Sequence, residues 1–225
     1  TIHSFFGLPL DPIAPNTEFE AFNLNYAKQL VLKHVDTIII DEVSMVRCDI
    51  VDAIDYTLRK TLRTTLPFGG KQIIFVGDMF QLPPIVRQGA EWELMHDIYQ
   101  TNEFFFYKAN AIKNMRMVKI EFQKVYRQDD DKQFLHILEN VRMNKVTPEN
   151  IMNLNRRVVQ PEAKDGMVIT LTSLNKTASE INHKCLSEID AEEFVYEGTV
   201  SGKFDDKRLP VDLNLHLKVG AQVMF

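Results

Sequence analysis

Cysteine is scarce in this chain, long apolar runs are missing and positive charge is not in excess, and each scarcity removes a class of protein. Cys48 and Cys185 stand far apart with no CxxC pattern, which argues against a disulfide scaffold or a thiolate zinc site. Both fall in segments with helical periodicity, so buried or inert thiols are expected. His3, His34, His96, His136, His183 and His216 are dispersed without triad or metal-ligand spacing; zinc or Ser-His-Asp hydrolysis has no support. No run approaches the roughly 20 apolar residues of a membrane span, and no basic, apolar, small-residue leader stands at the start. A soluble intracellular protein with no membrane contact is expected, in cytoplasm or nucleoid if bacterial and in nucleus or mitochondrion if eukaryotic. A net charge of −5 does not suit a protein that coats nucleic acid by bulk charge, although local fields matter more than the total. Residues 108–127 carry six cations against Glu121, a local +5, whereas residues 186–206 reach −6. The acidic stretch reads as solvated surface.

Against these absences stand 45% hydrophobic residues and 15 Phe in 225 positions, enough for a substantial core and more than one domain. Residues 37–41 (TIIID) and 72–78 (QIIFVGD) are continuous apolar runs, the pattern of strands buried on both faces of a parallel sheet. Between them Val51, Ile54, Leu58 and Leu62 share one helical face, with Asp55 and Arg59 as an outward i,i+4 pair. Pro67, Gly69 and Gly70 stop that helix, completing a βαβ unit. An upstream helix from Glu18 to His34 leads into it. After Arg127, Phe134, Leu135, Leu138 and Val141 share a second helical face behind Asp129, Asp130 and Asp131, which favour the positive end of a helix dipole. Thr147 and Pro148 read as N-cap and N1 of another helix. Residues 167–173 (MVITLTS) read as a strand, and Ala178, Ile181, Cys185 and Ile189 mark the helix that follows. From Phe194 onward short β-like runs separated by Gly198, Gly202 and Pro210 suggest the beginning of a small β-rich element.

Open α/β sheets bind ligands beyond the carboxyl ends of their strands, and both strands of the βαβ unit finish in acids. Asp41 and Glu42 end one; Asp78 ends the other, ahead of MFQLPP. Hydrolysis of a nucleotide needs one carboxylate to hold magnesium, usually through its waters, and another to orient and deprotonate the attacking water. Asp41 suits the first role and Glu42 the second. Gln81 can reach the terminal phosphate from the neighbouring strand. An apolar run followed by Asp-Glu is by itself a weak signal, and Asp78 can equally cap a turn. A second strand ending in GDMFQLPP, one crossover later, strengthens the nucleotide reading.

These residues resemble a known family. TIHSFFG (1–7), IIIDEVSM (38–45), FGGKQIIFVGDMFQLPPI (68–85), VYRQ (125–128) and VITLTSLNKTASEIN (168–182) occur in the order seen in the Pif and RecD-like DNA helicases of superfamily 1. The resemblance implies an α/β fold of two RecA-like lobes with parallel sheets, the first truncated at its N-terminus. The lobes would span residues 1–127 and 128–193, with a truncated β-rich segment at 194–225. It implies ATP and Mg2+ as cofactors, single-stranded DNA and duplex junctions as partners, movement 5′ to 3′, and work in repair, recombination or telomere maintenance. Asp41 is similar to the magnesium residue, Glu42 to the water-activating residue and Gln81 to the γ-phosphate sensor. Arg127 resembles the arginine that reaches the γ-phosphate from the second lobe, where it would neutralise transition-state charge. Thr1, His3, Ser4 and Phe5 match a DNA-contacting motif in which hydroxyls and a His bond phosphates and an aromatic stacks on a base. Phe5 and Phe6 read equally well as core. Thr172, Ser173 and Asn175 are similar to residues that grip DNA phosphate ahead of a helix N-terminus, and Pro83 with Pro84 makes a stiff loop able to link phosphate sensor and DNA track. A monomer is expected.

One departure matters most. A GxxxxGK[ST] loop, which cradles phosphates with backbone N–H groups and a Lys, does not occur: the two GK pairs, Gly70-Lys71 and Gly202-Lys203, precede Gln72 and Phe204. With Thr at the first position and the last residues KVGAQVMF stopping inside an apolar run, a middle portion of a longer helicase is expected, with little ATPase activity of its own. A non-catalytic nucleic-acid-binding module with a degenerate ATPase fold is the alternative; an ATPase of similar lobes acting on something other than DNA is a third.

Overall fold

A computed structural model describes residues 1–9, 11–13, 24–124, 126, 131–158, 168–200, 209 and 211–223. The chain forms two compact units, Thr1–Val146 and Thr147–Phe225. In the first, helices α1 (Ile2–Phe6) and α2 (Tyr26–His34) precede strand β1 (Thr37–Ile40), helix α3 (Cys48–Leu62), strand β2 (Gln72–Phe75), helix α4 (Ala90–Tyr99) and helix α5 (Lys132–Arg142). The second contains α6 (Pro148–Asn155), α7 (Asn175–Ser187), β3 (Glu193–Glu197) and β4 (Asn214–Lys218). The division after Val146 leaves α5 packed with the first unit, although the motifs place residues beyond Arg127 in a second lobe.

The βαβ unit is present as the sequence predicts. Strands β1 and β2 pair in parallel, Thr37 opposite Gln72 through Ile40 opposite Phe75, and α3 is the crossover. Its face is wider than the four predicted positions: Ile50, Val51, Ala53, Ile54, Thr57 and Leu58 are all buried, packing with Phe6, Leu32, Phe68, Met95 and Phe104 in one core. Cys48 opens the helix and is fully buried, and burial together with Asp49 and Asp52 pushes its thiol up to about 12, so it is inert at neutral pH. Cys185 is exposed.

Four readings need correction. The strands are not covered on both faces, for Ile39 is 64% exposed while Ile40 is buried: alternation puts successive side chains on opposite faces, and one face of this two-stranded sheet is open among the described residues. Asp55 is not outward. It is buried, and its Oδ1 accepts hydrogen bonds from Arg59 Nε and the Phe68 backbone N–H, so the pair fastens the helix to the turn that ends it. On α5 the buried residue is Ile137, whereas Leu138 and Val141 are exposed, and the helix is capped by Asp131, whose side chain accepts from Phe134 N. Residues 168–173 form no strand; among the described residues no neighbouring strand satisfies their backbone, and Leu171 is 92% exposed.

Other local signals hold. Thr147 caps α6, with Pro148 in the first turn and a reciprocal bond from Asn150. Helix α7 takes in the predicted Ala178, Ile181 and Cys185, ends at Ser187 before Ile189, and buries none of its residues. The β-like runs near the C-terminus become an antiparallel pair, Glu193 opposite Lys218 through Glu197 opposite Asn214. Helix α2 starts at Tyr26 behind the Asn25 cap, and residues 18–23 of the longer predicted helix lie outside the described residues. No helix among the described residues is long and apolar enough to cross a membrane.

Candidate functional site

Parallel pairing brings the carboxyl ends of β1 and β2 side by side, and two backbone hydrogen bonds fix them there. Val76 N donates to Ile40 O (2.8 Å), and Val43 N donates back to Val76 O (3.0 Å). Asp41 and Glu42 therefore emerge next to Gly77 and Asp78. Glu42 adopts φ 53°, ψ 42°, a left-handed conformation that costs a non-glycine residue about 1 kcal/mol or more. The turn it makes sends Val43 and Ser44 into the core while Asp41 and Glu42 stay exposed. Asp41 Oδ1 accepts the Glu42 N–H (2.8 Å) and braces that turn. Ser44 Oγ is buried without a hydrogen-bond partner among the described residues.

The close approach depends on Gly77. A Cβ at that position would lie 2.8 Å from Val43 N, 3.1 Å from Val43 Cγ1 and 3.3 Å from Ser44 N. Two of these neighbours are backbone atoms. Gly77→Ala is expected to push the two strand ends apart, costing about 1–3 kcal/mol and displacing Glu42; thermal unfolding measures the loss, and an unchanged melting temperature would refute the account.

On the β2 side, Asp78 is the turn cap that its sequence context allowed. Its Oδ1 accepts from Phe80 N (3.0 Å) and its backbone carbonyl from Gln81 N (3.1 Å), so the chain reverses and presents Gln81 to solvent. The loop beyond stays open: Leu82 and Ile85 are 68% and 77% exposed, Pro83 is exposed and Pro84 half-buried. Asp41 fits the hard oxygen ligand that magnesium takes, directly or through water. One of its oxygens holds the turn and the other has no partner among the described residues.

Helix α1 separates the two phenylalanines. Phe6 enters the core and Phe5 is 37% exposed, the rings meeting edge to face at 5.0 Å. Thr1 caps the helix, its Oγ1 accepting from Ser4 N (3.3 Å), while Ser4 O accepts from Lys28 Nζ. His3 is held below its ordinary pKa by burial and by the Arg47 charge, with Asp49 opposing, so near neutral pH it offers hydrogen bonds rather than charge. Arg47 itself is buried at a cost to its charge, but hydrogen bonds and charge from Asp49, with Glu91, more than offset this and raise its pKa.

In the second unit Thr172, Ser173 and Asn175 are exposed. Thr172 Oγ1 accepts from Leu174 N (3.3 Å), shaping the entry to α7, and Asn175 is the first residue of that helix. Arg127 lies outside the described residues. Sequence reasoning overlooked three contributors: Gly77, signalled by its place before Asp78; the Arg47–Asp49 pair behind His3; and Arg142, which no motif marks.

Comparison with known proteins bears on the chain as a whole. The PIF1-like helicase family model matches residues 1–151. The ATP-dependent DNA helicase PIF1 of Saccharomyces cerevisiae strain YJM789 is 28% identical over 233 aligned positions, covering all of this chain and 26% of the relative. That of Danio rerio is 33% identical over 202 positions, 86% of this chain and 30% of the relative. Among solved structures, Pif1 helicase from Bacteroides in complex with ADP-AlF3 and ssDNA aligns with a TM-score of 0.86 at 34% identity, over 97% of this chain and 50% of that one. The chain thus spans from about a quarter to half the length of these relatives. The α/β architecture, with its parallel pair and small C-terminal antiparallel sheet, is that of the RecA-like helicase structures. On its sequence match and its fold, this chain belongs to the PIF1-like helicase family.

Proposed function

We propose that this chain is the middle portion of an ATP-dependent DNA helicase that couples hydrolysis to 5′ to 3′ movement on single-stranded DNA and to unwinding at duplex junctions. The observation that carries the reading is the clamped pair of strand ends, which sets Asp41 and Glu42 beside the Asp78–Gln81 turn. Names given to relatives support it: they are ATP-dependent DNA helicases, and a similar structure holds ADP-AlF3 and ssDNA.

In this reading Asp41 holds Mg2+, which offsets phosphate charge. Glu42 takes the proton of the attacking water, Gln81 hydrogen-bonds the terminal phosphate, and Arg127 neutralises charge developing on the transferred group. Thr1, His3, Ser4, Phe5 and Pro83 contact DNA from the first unit, and Thr172, Ser173 and Asn175 from the second. The lobe limits 1–127, 128–193 and 194–225 belong to the same proposal; they are functional divisions read from motifs and differ from the packing division after Val146. Because a GxxxxGK[ST] loop does not occur in these 225 residues, the phosphate cradle comes from elsewhere in the longer polypeptide.

The test is ATP hydrolysis by that longer polypeptide with and without single-stranded DNA. Stimulation of at least about tenfold is expected, with DNA affinity falling steeply as salt rises because phosphate contacts release counterions. Turnover indifferent to DNA would favour an ATPase with another substrate. Salt-sensitive DNA binding with no turnover would favour the non-catalytic module.

A further inference from the structure

We propose that Arg142 is a positioning residue that latches the Gln81-bearing turn from helix α5. The assignment deepens the proposed function and rests on it for its catalytic consequence. The Asp78 carboxylate divides its oxygens. One is committed to the turn, accepting from Phe80 N at 3.0 Å; the other, Oδ2, lies 3.6 Å from Arg142 Nε. The same guanidinium covers the Phe80 ring, its Cζ 4.8 Å from the centroid, and Glu139 flanks it from the same helix at 3.6 Å.

A single side chain thus contacts residues 78 and 80 by two different interactions, charge on one and a cation over an aromatic face on the other. Gln81 is the next residue. The carboxylate and guanidinium are 33% and 36% exposed, so as a bare ion pair they would contribute little. The combination matters because Met79 and Val86 pack against the core while the side chains between them are largely open: Phe80, Leu82 and Ile85 are 61%, 68% and 77% exposed. Without Arg142 the Asp78–Gln81 turn keeps its own two hydrogen bonds and the packing of Met79 against the core but loses this tie to α5. Gln81 then samples orientations that do not face a terminal phosphate.

The experiment compares wild type, Arg142→Gln, Arg142→Lys, Asp78→Asn and the Arg142→Gln/Asp78→Asn double variant in the longer polypeptide. Asn at 78 retains the acceptor for Phe80 N and removes only the charge. Two readouts are taken. Amide hydrogen exchange across residues 78–85 requires no turnover, and is expected to quicken about fivefold in Arg142→Gln and Asp78→Asn. The kcat of DNA-stimulated ATP hydrolysis is expected to fall about fivefold in the same variants with KM within about twofold, since the phosphate sensor and not the binding of ATP is disturbed. The double variant is expected to be no worse than either single one, as befits one shared interaction. Lys at 142 keeps the charge without the planar stack and is expected to restore about half of the loss. Unchanged exchange and kcat in Arg142→Gln would overturn the latch, as would additive losses in the double variant or a general drop in melting temperature accompanied by a rise in KM. If wild type shows no ATP turnover while Arg142→Gln still quickens exchange at 78–85, the latch stands and the helicase reading fails.

Discussion

Glu42→Gln is expected to stop ATP turnover in the longer polypeptide while leaving nucleotide binding intact. Loss of a positioned general base lowers a rate by about a hundredfold to ten-thousandfold, and Gln is the same size as Glu but cannot take a proton at neutral pH. The fold should not respond. Glu42 is exposed and its side chain has no hydrogen-bond or ion-pair partner among the described residues, and the turn rests on backbone geometry, the Asp41 brace and the Val43–Val76 hydrogen bond. Gln tolerates the left-handed backbone about as well as Glu does. Hydrolysis assays paired with binding of a fluorescent ATP analogue separate the two effects. Turnover within about threefold of wild type would remove Glu42 from the proton-transfer role.

The largest effect on stability is expected from Asp49→Ala. Asp49 is fully buried, and its carboxylate receives a forked pair of bonds from Arg47, Nε to Oδ1 at 2.9 Å and Nη2 to Oδ2 at 2.8 Å. Oδ2 also accepts from Ile13 N at 3.0 Å, while Arg47 Nη1 reaches Glu91 on α4 at 3.1 Å. Removing Asp49 leaves a guanidinium that is only 12% exposed with Glu91 as its one remaining partner among the described residues, and orphans a buried amide. Breaking such a pair from one side costs about 3–5 kcal/mol, or a fall of about 10 °C in melting temperature for a chain of this size. Asp49→Asn should be milder, since it retains an acceptor. A loss below about 1 kcal/mol for Asp49→Ala, measured by urea unfolding, would mean that the cluster contributes no more than a surface pair.

A second polar anchor has the same architecture. Asp52 accepts from Tyr99 Oη (2.8 Å), Ala111 N (2.7 Å) and Asn110 N (3.1 Å), tying α4 and the following turns to α3. Burial and the neighbouring Asp52 charge raise the Tyr99 pKa, so the phenol remains the donor in this bond. Asp49 and Asp52 lie on a helix whose apolar periodicity was plain in the sequence, yet nothing in that pattern separates a buried carboxylate from a solvated one. Asp49 is buried and Asp52 half-buried, and what each meets there, Arg47 for one and Tyr99 with the backbone around residues 110 and 111 for the other, lies outside that periodic face.

By itself the sequence determined the βαβ unit, the caps at Thr147 and Pro148, the C-terminal β pair and the identity of the acids at the strand ends. These follow from local rules: apolar period, strand length, turn chemistry and a motif order that resembles one family. Tertiary structure decided the rest. It showed that Asp55 is a buried fastener, that Phe5 and Phe6 part company, that residues 168–173 form no strand and that α5 buries Ile137. Above all, it showed that Gly77 admits the Val43 backbone and that Arg142 reaches Asp78 and Phe80. Each of these depends on which distant groups meet, a matter of three-dimensional packing that no single stretch of chain records.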